Sequence, residues 1–541
     1  MAYIVRFWSA ITATIWADPM STSKYLDKIC LGVILFAIAL MVLFINGEAL
    51  GIQTLTEEET NGQFTANDLK ADWDISRATK ITLNGEDGTV VGNGAYIVDG
   101  DVHIVYAGSY VISGELKDGS ILVEADGDDK VWILLNGVSL HCEDNAAILV
   151  EQAEKVFLTL AEGTENVVSS GGTYTEKAVE TGIDGTIYSR DDLTINGAGN
   201  LRVTAQYQHG IVCNDDLVFT GGQIDISAPE DGIHANDSVR ITQANLNIAA
   251  KDDGITVSNE DATDYLYIHS GSVTVSGCYE GLEATSVTIE GGTVDLEPTD
   301  DGINAQELIT ISGGEIRIVN TTGRDADGLD SNRDIVISGG YVFISVSANG
   351  GSCALDYGSE RGGICRIDGG TVVACGGSQM LEGLDEESRQ AFVIRTVRGE
   401  AGAQLILRLS DGTEVLNETI PAEFNAVTLS VPEMKLGDVC SLIVGDVQEE
   451  ITVDCSIPEG LGGMGGHGMS GGRQNADAEN PPEGFEGPFK NHGQRPEMGE
   501  MPDGVEKPQI GDRPNRGESS EMGNHLGMSD EEKPFMQERQ P

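Results

Sequence analysis

The chain has 541 residues, of which 70 are glycine and only 5% are aromatic. Acidic residues number 88 against 32 lysines and arginines, which gives a net charge of -56. A surface this acidic repels nucleic acid phosphates and anionic lipid headgroups, so the composition argues against both as electrostatic partners. It also repels acidic polysaccharides unless cations intervene. The charge therefore indicates either a divalent-cation binder or simple solubility in a salty or extracellular medium.

An uncharged apolar segment occupies residues 29–45, near the start of the chain. Its length is at the short limit for a helix that crosses the ~30 Å hydrocarbon core. Lys24 and Lys28 precede it and Glu48 follows it, which predicts that the rest of the chain is extracellular or at the cell surface. A membrane anchor and a cleaved signal peptide both remain open. Residues 1–28 are then a cytoplasmic N-terminus. Alternatively, translation begins at Met20, and the residues before it are a mis-annotated N-terminus.

The next two segments differ in pattern. Residues 46–70 are polar and are expected to form a linker. Residues 71–180 contain short β-branched runs broken by Gly, Asn and Asp, such as the run at 130–135, and no helical periodicity competes with them. This pattern predicts a β-rich N-terminal cap.

Repeated segments follow, and the glycine after an acidic or histidine residue marks each copy. The markers are separated by 22, 22, 27, 21 and 26 residues: Gly210, Gly232, Gly254, Gly281, Gly302 and Gly328. Each copy contains two alternating strands split at a corner, often by a Gly-Gly pair. A period of about 21–22 residues with insertions at fixed corners is typical of a solenoid, and the scaffold of leucine-rich repeats is absent. The sequence therefore predicts an all-β protein, a right-handed parallel β-helix over about residues 182–376, within a domain of 71–376.

The repeat fades after this domain. Residues 377–457 are predicted to form a small C-terminal β domain, and the Gly/Pro/Met-rich residues 458–541 a disordered tail. No C-x-x-C pair occurs among the nine cysteines, which argues against a zinc or redox site. Cys213 and Cys278 are expected to be buried free thiols, and Cys440 with Cys455 is the best candidate for a disulfide.

A column of carboxylates is predicted at one corner of the helix. The residue before each marker glycine is His209 and then Asp231, Asp253, Glu280, Asp301 and Asp327. Coils ~4.8 Å apart would stack the five acids into a ladder ~19 Å long. Like charges at that spacing repel by about 1 kcal/mol per pair even in water. Calcium, which takes about 6–8 oxygen ligands, suits such a ladder. The predicted calcium ligands are Asp231, Asp252, Asp253, Asp300, Asp301, Asp327 and Asp330.

A simpler explanation of the column stays open. Asp-Gly is a common turn dipeptide in which the Asp side chain bonds its own backbone, and a regular fold repeats its turns. The pairs Asp252–Asp253 and Asp300–Asp301 favour calcium, because one turn needs only one Asp. Four aromatic side chains are candidates for stacking on sugar rings: Tyr265, Tyr279, Tyr341 and Tyr357.

Several further motifs lie at 78–85, 108–116, 135–139, 160–166 and 191–197, in the Asp-Gly-Ile/Leu corners and at 354–357. They resemble the motifs of bacterial cell-surface β-helix carbohydrate-binding domains. The resemblance spans about residues 70–455. It implies a pectate-lyase-like fold, bound calcium (Ca2+), and binding of cellulose-like or acidic, pectate-like polysaccharides. His209 and Glu280 depart from it, because an Asp is expected at both positions.

Three classes of function follow from these observations. The first is an extracellular calcium-dependent carbohydrate-binding protein without catalytic activity. The second is a calcium-dependent polysaccharide lyase, which needs a base near the calcium. Lys251 is the only lysine beside the column, and Arg324 and Arg333 lie near its other end. The third is a structural surface adhesin. No nucleotide-binding fingerprint is evident.

Overall fold

The computed structural model describes residues 62–456. The predicted anchor at 29–45, the residues before it, most of the predicted linker and the tail from 458 lie outside the described residues. Within the described part, no helix is long and apolar enough to cross a membrane.

Strands make up almost all of the regular structure. The first seven are β1 (Thr79–Gly85), β2 (Gly88–Val91), β3 (Ala95–Val98), β4 (Asp101–Ile104), β5 (Gly108–Leu116), β6 (Ile121–Glu124) and β7 (Lys130–Cys142). The next eleven are β8 (Ile148–Gln152), β9 (Lys155–Leu160), β10 (Glu165–Ser170), β11 (Gly185–Ser189), β12 (Asp192–Gly197), β13 (Asn200–Thr204), β14 (His209–Cys213), β15 (Asp216–Phe219), β16 (Gln223–Ser227), β17 (Ile233–Ala235) and β18 (Ser238–Ile241). A single α-helix, α1 (Glu176–Glu180), and 3-10 turns at Ile75–Arg77 and Ser359–Arg361 complete the described helices.

The remaining strands continue the repeat and then close it. Fourteen belong to the repeat: β19 (Asn245–Ala249), β20 (Ile255–Val257), β21 (Tyr265–Ile268), β22 (Ser272–Ser276), β23 (Leu282–Ile289), β24 (Thr293–Glu297), β25 (Ile303–Ile311), β26 (Glu315–Asn320), β27 (Leu329–Ser331), β28 (Asp334–Ile337), β29 (Tyr341–Val346), β30 (Leu355–Tyr357), β31 (Cys365–Ile367) and β32 (Thr371–Gly376). The last six are β33 (Phe392–Arg395), β34 (Ala403–Leu409), β35 (Glu414–Ile420), β36 (Ala426–Ser430), β37 (Val439–Val444) and β38 (Val447–Thr452).

Each coil contributes one strand to each of three parallel sheets. Face A contains β8, β11, β14, β17, β20, β23, β25, β27 and β30. Face B contains β9, β12, β15, β18, β21, the second halves of β23 and β25, β28 and β31. Face C contains β10, β13, β16, β19, β22, β24, β26, β29 and β32. The predicted all-β fold, a parallel β-helix, is confirmed.

Aliphatic ladders hold the coils together. Side chains alternate between the two sides of a strand, so every second residue of face A points into the helix. The inward ladder of face A is in register and buried: Ile187, Ile211, Ile233, Ile255, Leu282, Ile303, Leu329 and Leu355. Each such side chain contributes about 1.5–3 kcal/mol on burial. The alternate residues necessarily face outward, and this places the site described below.

Two kinds of glycine serve two different purposes. The second glycine of a Gly-Gly corner, for example Gly314 with φ +89°, adopts a backbone conformation that disfavours L side chains. The marker glycines instead allow close approach between coils. A Cβ at Gly254 would lie 2.5 Å from the carbonyl oxygen of Gly281 in the next coil and would press on Val275.

The N-terminal region is more closely integrated than its sequence suggested. Strands β1, β5 and β7 stack in parallel with the later coils, so residues expected to cap the helix also form its first coils. Antiparallel pairs, β1 with β2 and β3 with β4, complete this end. The helix therefore begins about a hundred residues before the recognisable repeats.

Residues 62–70, which we call the N-terminal strap, correct the predicted linker. Phe64 is fully buried and packs in a cluster with Val218 and Tyr267. The Asp68 carboxylate lies 2.9 Å from the Lys155 ammonium, and Thr194 donates a hydrogen bond to it at 2.6 Å. This part of the predicted linker is therefore packed on the helix.

The C-terminal end has two layers. Strand β36 pairs antiparallel with both β32 and β33, which closes face C. Strands β35, β34, β37 and β38 form a separate four-stranded antiparallel sheet, whose core includes Phe343 and Val373 of the helix. This sheet lies within residues 377–457, the range predicted as a small β domain. Cys440 and Cys455 are free, so the disulfide prediction was wrong, whereas Cys213 and Cys278 are buried free thiols as predicted.

Candidate functional site

The residues that precede the marker glycines stack at one corner of face A. The Gly232 amide donates to the carbonyl oxygen of Asp253 at 2.9 Å, and the Gly254 amide donates to that of Glu280 at 3.0 Å. The same bond recurs in each coil and fixes the register. We call this set the corner column, and it runs through His209, Asp231, Asp253, Glu280, Asp301 and Asp327 to Cys353.

Two further columns lie beside it. The flanking column is formed by the residues one position earlier: Gln208, Glu230, Asp252, Tyr279 and Asp300. The strand column is formed by residues three positions later, which pair in register along face A: His234, Thr256, Glu283, Asn304, Asp330 and Asp356. Together the three columns form an acidic stripe along one edge of the helix.

The corner carboxylates divide their two oxygens between structure and the stripe. Asp231 Oδ1 accepts the amide of Asp253 at 3.2 Å, and Asp301 Oδ1 accepts that of Asp327 at 2.7 Å. The four aspartates of the column therefore bond the backbone of the next coil, which is a different structural role from the self-bonded turn considered above. The second oxygen faces the strand column, as shown by Asp253 Oδ2, which lies 3.2 Å from Thr256 Oγ1. Glu280 instead accepts Asn304 Nδ2 of the strand column at both oxygens.

Four groups of side chains bring their ligand atoms within 4.8 Å of one another. They are His209–Asp231–His234, Asp231–Asp252–Asp253, Asp253–Glu280–Glu283 and Glu280–Asp300–Asp301. The structure thus brings together five of the residues expected to bind calcium: Asp231, Asp252, Asp253, Asp300 and Asp301. Asp327 and Asp330 lie in the same columns, although neither joins such a group in the described part of the chain. Glu280, where an Asp was expected, joins two groups.

The electrostatics of the stripe are those of crowded, buried carboxylates. Burial, followed by the charges of Asp231 and Glu283, raises the pKa of Asp253 to about 7. Burial and Asp330 raise that of Asp301 to about 8, and burial with Glu283 raises the pKa of Glu280 to about 9. The carboxyls cannot all be ionised at neutral pH without added positive charge.

Asp231 is the exception in the column. Burial acts to raise its pKa, but hydrogen bonds and charges from His209 and His234 outweigh that effect and hold the pKa below its usual range. Burial lowers the pKa of His209, but Asp231, Asp184 and Glu230 outweigh that effect and raise it. The first group of the stripe therefore pairs its carboxylate with two imidazole rings, whereas the other three groups consist of carboxylates alone.

Sequence reasoning missed most of the strand column. Glu283, Asp356 and His234 were not predicted, and Asp330 was the only residue of this column assigned as a ligand. The sequence signal that could have identified these residues is the fourth position, x, of each Asp-Gly-Ile/Leu-x corner. Because the Ile or Leu points inward, residue x points outward beside the acid of its own coil.

Of the four tyrosine candidates, only Tyr279 has an open ring. It is 49% exposed, stands in the flanking column, and its hydroxyl bonds Asp300, which raises its pKa. Tyr265 bonds Gln63 of the N-terminal strap at 3.2 Å, and Tyr357 donates to the Gly383 carbonyl at 2.7 Å. Tyr341 packs against the C-terminal domain core. These three rings, which were also candidates, are partly buried against other elements and are not open stacking platforms.

The basic residue proposed for a lyase, Lys251, directly precedes Asp252 of the flanking column and is exposed. Arg361 is a second basic residue near the stripe, because its charge lowers the pKa of Asp330 against the larger effect of burial, and its Nη1 lies 3.3 Å from Asn332 Oδ1.

Comparison with known proteins places the chain in a family. A family profile described as carbohydrate-binding domain-containing protein matches residues 98–350 and 285–379, which together span just over half of the chain. The chain belongs to this family. A carbohydrate-binding domain-containing protein of Acetivibrio thermocellus is 37% identical over 137 residues, 25% of this chain and 48% of the relative. The chain thus spans about half the length of that curated relative.

One solved structure is also similar. It is the gadolinium derivative of the polysaccharide lyase-like protein from C. thermocellum, which is 29% identical. The alignment covers 48% of this chain and 96% of that chain, with a TM-score of 0.41.

Proposed function

We propose that the acidic stripe binds calcium and that the calcium-loaded helix binds polysaccharide outside the cell. The observation that carries the proposal is that the two oxygens of each corner aspartate have different roles. One oxygen is held by the next coil, which fixes the side chain, and the other faces acids of the neighbouring columns. The oxygen bound by the next coil has a structural role, and the other oxygen remains available to a ligand.

The donor set fits calcium. It consists of carboxylate oxygens with amide and hydroxyl oxygens nearby, which are the hard ligands that calcium prefers. Asp252, Asp253, Glu280, Glu283, Asp300 and Asp301 would hold the ions. Bound calcium would supply the positive charge that the buried carboxyls lack, and could link them to carboxylates of an acidic polymer.

The carbohydrate part of the proposal rests on family membership and on one exposed ring. Tyr279 stands between Asp252 and Asp300 in the flanking column, so a sugar that stacks on it lies beside the acids. The chain's charge of -56 would repel a uronate polymer without bound cations. We therefore expect acidic, pectate-like polysaccharide to require calcium, and cellulose-like polysaccharide to depend on it less.

The calcium step is tested by titrating the full-length chain after chelator treatment. Asp253→Asn keeps an oxygen that can accept the Glu280 amide but removes the charge, so it should weaken calcium binding without unfolding the coil. The control is Asp128→Asn, at an exposed acid outside the stripe. Equal calcium affinity in all three proteins would contradict the proposal.

The polysaccharide step is tested by pull-down on pectate and on cellulose, with calcium or with chelator. We expect retention on pectate only with calcium, and weaker retention of Tyr279→Ala than of Tyr357→Phe. Failure to bind either polymer in both conditions would leave the adhesin alternative. Ultraviolet absorbance from unsaturated product formed on polygalacturonate would instead reveal a lyase. Loss of that activity in Arg361→Ala would indicate that Arg361 is the base.

A further inference from the structure

The N-terminal end of the stripe differs in chemistry from the rest. Two of the five histidines in the described residues, His209 and His234, meet here with ring centroids 5.2 Å apart. His209 occupies the corner column, and His234 occupies the strand column one coil later. No other coil places a ring nitrogen in either column within the described part of the chain.

Both rings face the same carboxylate oxygen. Nδ1 of His234 lies 2.9 Å from Asp231 Oδ2, and Nδ1 of His209 lies 3.2 Å from it. Asp231 is fully buried. Donors about 2.0–2.1 Å from a tetrahedral zinc ion are separated by about 3.3 Å, so both distances are close to those of ligands that share one ion.

His209 Nδ1 has two incompatible neighbours. It accepts the backbone amide of Asp231 at 3.2 Å, yet it also lies 3.2 Å from Asp231 Oδ2. One nitrogen cannot accept the first contact and donate to the second. If it accepts, the amide takes its single lone pair and an unprotonated nitrogen faces a carboxylate oxygen. A metal ion that took over this lone pair would replace the amide contact and relieve the repulsion between the nitrogen and the oxygen.

More carboxylates surround this group. Glu230 Oε2 lies 3.5 Å from His209 Nε2, the arrangement in which an acid orients a metal-binding histidine. Asp184 Oδ1 is buried without a hydrogen-bond partner among the described residues. The charges of His209 and His234 both act on the Asp184 carboxyl, so that unpartnered oxygen belongs to the same pocket of charge.

We propose that His209, Asp231 and His234 form a site for a late first-row divalent metal ion such as Zn2+. Imidazole nitrogen suits such ions, whereas calcium prefers a shell of oxygens. Asp231 is thereby assigned to a different metal from the one predicted for the rest of the stripe. This site does not depend on the proposed calcium function, because its two nitrogen donors take no part in the other three groups.

The test measures Zn2+ affinity of the full-length chain by competition with a chromogenic chelator, in excess calcium. His234→Thr copies the residue that follows it in the strand column, Thr256, and should therefore preserve the coil. We expect it, and His209→Asn, to lower the affinity of one Zn2+ by at least about tenfold. The matched control is His269→Asn, which removes another histidine–carboxylate contact on the helix, 3.2 Å from Glu290.

Three outcomes would overturn the proposal. They are wild-type Zn2+ affinity in both stripe variants, an equal loss in His269→Asn, and displacement of Zn2+ by calcium alone. Zn2+ held by the three histidines that lie outside the described residues would give the first of these outcomes. X-ray absorption of the Zn2+-loaded protein should show imidazole scattering that His234→Thr reduces. Calcium titration of His234→Thr reports separately on the rest of the stripe, where we expect no change.

Discussion

Replacement of Asp301 by asparagine should stabilise the calcium-free protein at neutral pH. Asp301 is buried, and burial together with Asp330 raises its pKa from 3.8 to about 8. In the unfolded chain this carboxyl is ionised at pH 7, whereas the folded chain keeps it protonated. Retaining that proton costs about 1.36 kcal/mol for each pH unit above 3.8, which is roughly 4 kcal/mol at pH 7 as an upper limit.

Asparagine removes this cost and keeps an oxygen for the amide of Asp327. We therefore expect Asp301→Asn to gain about 1–4 kcal/mol of unfolding free energy in chelator at pH 7. The gain should shrink to roughly 2 kcal/mol or less at pH 5, where less of the cost has accumulated. Calcium should stabilise the wild type more than the variant, because the variant lacks one ligand.

Urea unfolding of the full-length protein, with chelator or with calcium at both pH values, measures these differences. Asp128→Asn is the control and should change stability by less than about 0.5 kcal/mol. The reasoning fails if Asp301→Asn is no more stable than wild type in chelator at pH 7. It also fails if the difference is the same at pH 5.

The other predictions concern pH, packing and the N-terminal strap. The pKa values of Asp253, Glu280 and Asp301 are raised to about 7, 9 and 8, so the calcium-free protein should lose stability as pH rises from about 4 to about 9. For the same reason, calcium binding should release protons and should weaken below about pH 7. Calorimetry in buffers of different ionisation enthalpy measures both the proton release and the affinity. Gly254→Ala should lower the thermal midpoint through a clash worth about 1–3 kcal/mol, whereas Gly127→Ala, which meets only the tip of a flexible side chain, should not. Lys155→Met should lower the free energy of unfolding by about 3–5 kcal/mol and expose the strap to proteases, because it leaves the buried Asp68 carboxylate without its cation. The double variant with Asp68→Asn should recover most of this stability. Equal proteolysis of wild type and Lys155→Met would contradict the prediction.

The repeat period was enough to predict the helix and the corner column. In a parallel stack, residues one period apart occupy equivalent positions in successive coils, so the marker glycines identify the residues that stack at one corner. That is why Asp231, Asp253, Asp301 and Asp327 could be aligned without coordinates. The inward Ile and Leu ladder followed from the alternation of strand residues. The first coils were missed because β1, β5 and β7 carry no marker glycine.

Tertiary structure decided what the aligned residues can do. The sequence shows that two acids stack, but not that one oxygen of Asp301 is held by the next coil. The sequence does not distinguish the four candidate tyrosines. In the folded chain, other elements pack against three of them and leave the ring of Tyr279 exposed. Asp68 contacts Thr194 across 126 residues of chain, a contact that no local pattern encodes.

Local pattern and repeat period thus determined the coils, their register and the acidic corner, because each depends on residues one strand or one coil apart. The strap, the C-terminal closure and the histidine pair around Asp231 depend on how side chains from different turns of the chain meet. Those contacts are set by packing and by charge at a few ångströms, and only the folded structure brings the groups to that distance.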